Sequence, residues 1–172
     1  EAISRVHSGP VVVAGDSAGG NLAAAVGHRA RDAAAGRIVG QGLIYPSLGG
    51  DQTQGSYVEH ANAPQLTMGD LAFYQTVGDA QFAPLQDSDF SDLPPSVLVT
   101  AQCDPLASDG GAYRDAVQAA GGQAVWFNEP GMVHACLRAR HMSARAAVFF
   151  NKVIDGIAAV GRGDWPYTCA AD

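Results

Sequence analysis

The sequence is short of several things, and each scarcity narrows what the chain can be. It holds only three cysteines in 172 residues, Cys103, Cys136 and Cys169. None has the spacing of a metal knuckle or a C-x-x-C pair, so no metal site and no metal cofactor is expected. The odd count suits free thiols in a reducing compartment, and a cytoplasmic location is the expectation. Positive charge is also scarce: 10 Lys and Arg face 17 Asp and Glu, a net charge of −7. The isoelectric point is near 5.0. No basic cluster exceeds two or three residues, which argues against nucleic acid as a partner. No apolar run approaches the ~18–20 residues of a membrane span, so no transmembrane segment is expected. There is no G-x-G-x-x-G, and no Lys followed by Ser or Thr after Gly20, which argues against a phosphate-binding loop. The chain opens on Glu1 rather than methionine, and its native N-terminus is expected to lie upstream.

Against these scarcities stand 47% hydrophobic and 16% charged residues, the balance of a globular α/β domain with a real core. The most informative stretch is Val11–Asn21, VVVAGDSAGGN. It contains Gly15-Asp16-Ser17-Ala18-Gly19, a G-x-S-x-G pentapeptide. A short apolar β-branched run precedes it, and Leu22-Ala23-Ala24-Ala25-Val26, rich in helix formers, follows. The order strand, sharp turn, helix predicts a strained serine exposed at a strand's carboxyl end. The flanking glycines are expected because a Cβ would collide with the neighbouring strand or helix. The helix aims its positive end at the same spot.

Taken in order, Gly9-Pro10 launches a first strand, Val11–Ala14, whose continuous apolar character predicts burial on both faces. A helix over Gly19–Ala34 follows, with His28, Arg29, Arg31 and Asp32 on a solvated face and Gly36 as its stop. Gln41–Tyr45 reads as a second strand, ended by Pro46. Ser47–Ala63 is a long irregular stretch, of a length that is often functional, and is expected to cover the serine. Leu66–Val77 reads as a helix with Thr67 as N-cap. After a loop over Ala80–Leu93 come a third strand, Val97–Thr100, and a helix over Gly110–Ala120 opened by Asp109. A fourth strand over Ala124–Phe127 leads into a turn, Asn128–Val133, and then His134. The last helix runs over Ser143–Val160, and Asp164–Asp172 reads as a tail. One domain over 1–163, with an insertion at 47–78 and the tail 164–172, is the expected organisation.

Strands alternating with helices at this spacing predict a parallel, largely buried sheet with helices on both faces. Ligands then gather at the carboxyl ends of the strands. Ser17 follows the first strand, Asp104 the third and His134 the fourth. No spacing along the chain brings them together, but a shared sheet edge does. The chemistry needs all three: a serine hydroxyl is a weak nucleophile, a neutral imidazole takes its proton, and a carboxylate fixes the tautomer and stabilises the imidazolium. The order Ser, Asp, His is the one found in α/β-hydrolases. His7 lies at the wrong end of the first strand. His28 and His141 read as surface residues on or near helices, and His60 as at most lining a mouth. Asp109 is the rival acid, better read as a helix cap, and Glu129 is too near His134 in sequence. Cys103 reads as a buried small hydrophobe.

Gly15-Asp16-Ser17-Ala18-Gly19-Gly20-Asn21-Leu22 resembles the nucleophile segment of the hormone-sensitive-lipase-like esterases. Asp104-Pro105-Leu106 is similar to their acid motif, Gly131-Met132-Val133-His134 to their histidine motif, and Leu93-Pro94-Pro95 to the run before the acid strand. The resemblance extends from about Gly9 to Val160. It implies an α/β-hydrolase fold and a cofactor-free carboxylic-ester hydrolase for short or medium acyl chains. It implies Ser17 as nucleophile, His134 as general base then acid, Asp104 as its orienting partner, and the Ala18 backbone N–H as an oxyanion donor.

The chain departs from the family in three places. Ala135-Cys136 stands where Gly-Phe is usual, and Ala107-Ser108-Asp109 where an Arg-Asp-Glu-like run is common. The upstream His-Gly-Gly oxyanion loop has no counterpart, and the first strands and N-terminal cap are expected to be missing. The fold expected is therefore a partial α/β-hydrolase, its C-terminal half. Each lost oxyanion donor is expected to remove about 2.7–4 kcal/mol of transition-state stabilisation, so turnover is expected to be poor. Val11–Ala14 is expected to form an apolar edge covered by a second copy or by a partner chain. A non-catalytic or weakly active hydrolase-like domain serving assembly is the alternative, and a peptidase or acyltransferase a third reading.

Overall fold

The computed structural model describes residues 8–33, 37–77 and 82–167. Most of the polar N-terminal stretch with His7, the helix stop at Gly36, and residues 168–172 with Cys169 lie outside the described residues. Four strands, β1 (Val11–Asp16), β2 (Ile38–Ile44), β3 (Ser96–Cys103) and β4 (Ala124–Val133), form one sheet in the order β1-β2-β3-β4. All three pairings are parallel, with Ala14 opposite Gly42, Ile44 opposite Val99 and Leu98 opposite Trp126.

Because each connection steps the same way across the sheet, right-handed crossovers put their helices on one face. Helix α1 (Ala18–Ala33) and helix α4 (Ala107–Ala119) share that face. Ala23, Ala24, Leu43, Leu98, Tyr113 and Val117 form its core. Helix α5 (Ala144–Gly161) returns over the opposite face, where Phe149, Val153 and Val160 pack on Ile44, Val97 and Val99. Burying each large side chain of this kind contributes about 1.5–3 kcal/mol. The helix sits unusually close to β2, where a Cβ on Gly42 would lie 2.6 Å from Ile157 Cγ1. Ser143 caps α5, its hydroxyl accepting from the Ala146 N–H. Trp165 and Tyr167 follow α5 and lie against this face, with Tyr167 5.7 Å from the Phe127 ring.

Strand β3 is buried on both faces from Ser96 to Ala101, as its apolar run requires. Strand β1 differs from expectation: Val11, Val12 and Val13 are half-buried and Ala14 is exposed. The reason is position. Among the described residues β1 pairs only with β2, so it is an edge. Strand β4 runs to Val133, taking in the expected turn. Pro130 is tolerated there because β4 is the other edge among the described residues, where a missing N–H breaks no ladder.

The connection from β2 to β3 holds a single helical turn, α2 (Ser56–Glu59), and helix α3 (Met68–Val77). Thr67 caps α3 reciprocally: its hydroxyl accepts the Asp70 N–H at 3.1 Å, and the Asp70 carboxylate accepts the Thr67 N–H at 2.8 Å. Tyr57 and Leu66 bury themselves against Leu106, so this connection packs on the loop after β3. Among the described residues no helix is long and apolar enough to cross a membrane.

Candidate active site at the carboxyl ends of the strands

Ser17 is the single residue between β1 and α1, and its φ is 55°. That left-handed backbone is unusual for serine and costs on the order of 1–3 kcal/mol. The turn is held by backbone bonds. The Ser17 N–H donates to Ile44 O at 2.9 Å, and Ser17 O accepts from Asn21 N–H at 3.1 Å. The Asn21 side chain, itself buried, donates to Ser47 O and Phe82 O at 2.8 Å each, tying the next loops to the turn. A Cβ on Gly15 would lie 2.2 Å from Gly19 O, and one on Gly20 would lie 2.8 Å from Pro46 Cβ. Gly19 is different: a Cβ there would meet nothing nearer than Asp16 Oδ1 at 3.9 Å. The expectation that both flanking glycines avoid a collision therefore holds for Gly15 and not for Gly19. Ala18 opens α1, so its N–H belongs to the first turn and has no intrahelical acceptor.

Asp104 directly follows β3 and is fully buried. Its Oδ1 accepts the Leu106 N–H at 3.0 Å. Its Oδ2 lies 2.6 Å from His134 Nδ1. His134 directly follows β4, is 7% exposed, and presents Nε2 to Ser17 Oγ at 2.9 Å. Since an ionised carboxylate only accepts, Nδ1 carries the proton and Nε2 keeps its lone pair toward the serine. The structure thus brings Ser17, His134 and Asp104 into one hydrogen-bonded series from three strand ends. Ala135, after the histidine, has φ 59°. This is a position that glycine occupies without strain, which accounts for glycine being usual there.

One residue at the site carried no motif in the sequence. Tyr45, just past β2, is 1% exposed and lies under the imidazole, with ring centroids 4.8 Å apart. Its hydroxyl donates to Asp16 Oδ2 at 3.2 Å. Burial, with the Asp16 charge beside it, pushes the phenol well above its ordinary range, so it stays a donor.

Several other expectations change. Asp109 is not a helix cap: α4 begins at Ala107 with Leu106 as N-cap. The carboxylate is 1% exposed and accepts the Leu48 N–H at 2.7 Å and the Tyr57 hydroxyl at 2.9 Å. Burial raises its pKa to about 6. His28 is not on the surface. It is 4% exposed, with Nδ1 2.7 Å from Asp87 and Nε2 3.1 Å from the Tyr113 hydroxyl, and burial lowers its pKa. Arg31 likewise reaches across, donating to Asp89 O at 2.6 Å. Glu129 is paired with Lys152. His60 lines a shallow cavity of about 200 Å³ with Ser56, Glu59, Trp126 and Asn128, which neither Ser17 nor His134 lines. Cys103 is half-buried rather than buried, while Cys136 is buried and its thiol is pushed up to about 11, mainly by burial.

Residues 2–138 match a family model described as the alpha/beta hydrolase fold. The carboxylesterase NlhH of Mycobacterium tuberculosis is 38% identical over 135 residues, 72% of this chain and 42% of that enzyme. The esterase LipI of the same organism is also 38% identical over 135 residues, 73% of this chain and 42% of that protein. The crystal structure of a hyperthermophilic esterase from Pyrobaculum calidifontis superposes with a TM-score of 0.77 at 28% identity, over 88% of this chain and 52% of that one. This chain spans about two fifths of the length of the two mycobacterial relatives, 42% in each case. With its serine turn, its parallel sheet and these relatives together, the chain belongs to the α/β-hydrolase fold family, in the hormone-sensitive-lipase-like branch.

Proposed function

We propose that this chain carries out serine carboxylic-ester hydrolysis through Ser17, His134 and Asp104, on esters of short- to medium-length acids. The Ser17 hydroxyl attacks the ester carbonyl carbon while His134 Nε2 takes its proton. Asp104 holds Nδ1–H and stabilises the imidazolium. The oxyanion accepts the Ala18 N–H at the positive end of α1. As the tetrahedral species collapses, the carbon–oxygen bond to the alcohol breaks and Nε2–H protonates the departing oxygen. The acyl group stays on Ser17. Water, giving a proton to His134 Nε2, then attacks the acyl carbon; the carbon–Oγ bond to Ser17 breaks, Nε2–H returns the proton to Oγ, and the acid leaves. No cofactor enters these steps.

The observation that carries this reading is the Ser17–His134–Asp104 series, with distances of 2.9 and 2.6 Å. A buried carboxylate beside a buried imidazole is expensive to desolvate, and the packing of the fold gives no reason to gather them at a strained serine. The esterase names of the relatives support the same reaction. They also disfavour a non-catalytic scaffold. The test is hydrolysis of p-nitrophenyl esters from acetate to octanoate. Turnover that falls with chain length and disappears in Ser17→Ala supports the reading; turnover unchanged in Ser17→Ala sinks it. We propose in addition that the β1 edge pairs with further polypeptide, a second copy in the isolated chain. Light scattering is expected to show a dimer or larger species, and a monodisperse monomer would count against this.

A further inference from the structure

Tyr45 occupies a place that the proposed reaction does not use directly. It follows β2, the strand lying between β1, which carries Ser17, and β3, which carries Asp104. His134 comes from the β4 edge, so its ring reaches the serine only by crossing the ends of the two central strands. What it crosses is Tyr45, with ring centroids 4.8 Å apart and planes tilted by 55°. The phenol in turn packs on Phe149 of α5, at 6.0 Å. Its hydroxyl donates to the carboxylate of Asp16, the residue immediately before Ser17. One side chain therefore touches both the imidazole and the turn that presents the serine. The backbone is held to match. The Tyr45 N–H donates to Val99 O at 2.8 Å, and φ is 31°, a conformation that bulky aromatics rarely adopt.

We propose that Tyr45 is a positioning residue: its ring sets the tilt of His134, and its hydroxyl, through Asp16, ties the Ser17 turn to the same frame. The proposal rests on the reading of Ser17, His134 and Asp104 as the reacting series. Asp104 fixes one atom of the imidazole but leaves its plane free to tilt about that atom. A ring packed against the imidazole at 4.8 Å, inclined at 55° to it, limits that tilt. A shift of about 1 Å between Nε2 and Oγ is enough to slow such a reaction on the order of 100-fold.

The experiment uses the whole chain and two readouts. One is the reaction of Ser17 with a fluorophosphonate, resolved into a limiting rate and a half-saturating concentration. The other is the His134 Nδ1–H signal in a ¹⁵N-histidine NMR spectrum, which needs no turnover. Tyr45→Leu is expected to lower the limiting rate about 10- to 100-fold, leave half-saturation nearly unchanged, and broaden the Nδ1–H signal. Tyr45→Phe and Asp16→Ala are each expected to lose about 2- to 10-fold, and the double variant no more than either alone, because both break one bond. A folded Tyr45→Leu with the wild-type limiting rate and an unchanged Nδ1–H signal overturns the proposal. If Tyr45→Leu does not fold, the other pair decides: no loss, or fully additive losses, overturns it. If the probe fails to label even the wild type, the hydrolase reading falls. The Nδ1–H signal then decides the positioning alone, with persistence in Tyr45→Leu counting against it and loss supporting it.

Discussion

Replacing Asp104 with asparagine tests the proposed division of labour at almost constant volume. The carboxylate is wholly buried, its Oδ1 receiving the Leu106 N–H at 3.0 Å and its Oδ2 facing His134 Nδ1 at 2.6 Å. In asparagine the Leu106 N–H still needs an acceptor, so the carbonyl oxygen takes the Oδ1 place. The amide NH₂ then faces Nδ1. Two donors cannot share that gap, so the ring changes tautomer and carries its proton on Nε2. Ser17 is left with no base. Recovering the useful tautomer means turning the amide over and stranding the Leu106 N–H, about 1–3 kcal/mol. The imidazolium also loses its carboxylate. Together these effects are expected to slow acylation about 10⁴-fold, or about 5.5 kcal/mol. Fold stability should change by less than about 2 kcal/mol, since every buried group keeps a partner. The assay is the rate of fluorophosphonate labelling, with circular dichroism to confirm the fold. A folded Asp104→Asn labelled within tenfold of the wild-type rate would refute the reasoning.

Four further expectations concern stability. Gly15→Ala places a Cβ 2.2 Å from Gly19 O and should destabilise by more than about 3 kcal/mol or prevent folding. Gly19→Ala makes only an ordinary contact, 3.9 Å from Asp16 Oδ1, and should lie within about 1 kcal/mol of wild type, as thermal melting would show. Ala135→Gly relieves a left-handed residue at φ 59° and should stabilise by about 0.5–1 kcal/mol, less than the full left-handed penalty because glycine loses more entropy. Asp109, raised by burial from 3.8 to about 6, has a neutral form that the fold favours. Its contribution, about 3 kcal/mol, is complete below about pH 4 and is lost as pH rises through about 6. Denaturant titrations across that window should show the decline in wild type and a flatter profile in Asp109→Asn; an identical slope in both would count against it.

The parts of the fold that were legible in the sequence are those where one local signal decides. The β-branched runs at Val11 and Val97 mark strands, and G-x-S-x-G between a strand and a run of helix formers marks the serine turn. Ser17, Asp104 and His134 stood out because three motifs fell in one order. What stayed hidden depends on partners far along the chain. Asp109 reads as a cap because it stands near a helix start, yet its carboxylate is satisfied by the N–H of Leu48 and the hydroxyl of Tyr57, and nothing local announces either. His28 looked solvated among arginines, but Asp87 and Tyr113 enclose it. Tyr45 read simply as the last residue of a strand before proline. Its contacts with Asp16 and His134 exist only once the sheet has assembled.

The most direct test of the central claim is to locate the covalent product. After reaction with a fluorophosphonate, the chain should carry one adduct, on the peptide containing Ser17, by mass-spectrometric mapping. That adduct should be absent when His134 is replaced with alanine. An adduct on another serine, or labelling of Ser17 that survives the loss of His134, would contradict the account.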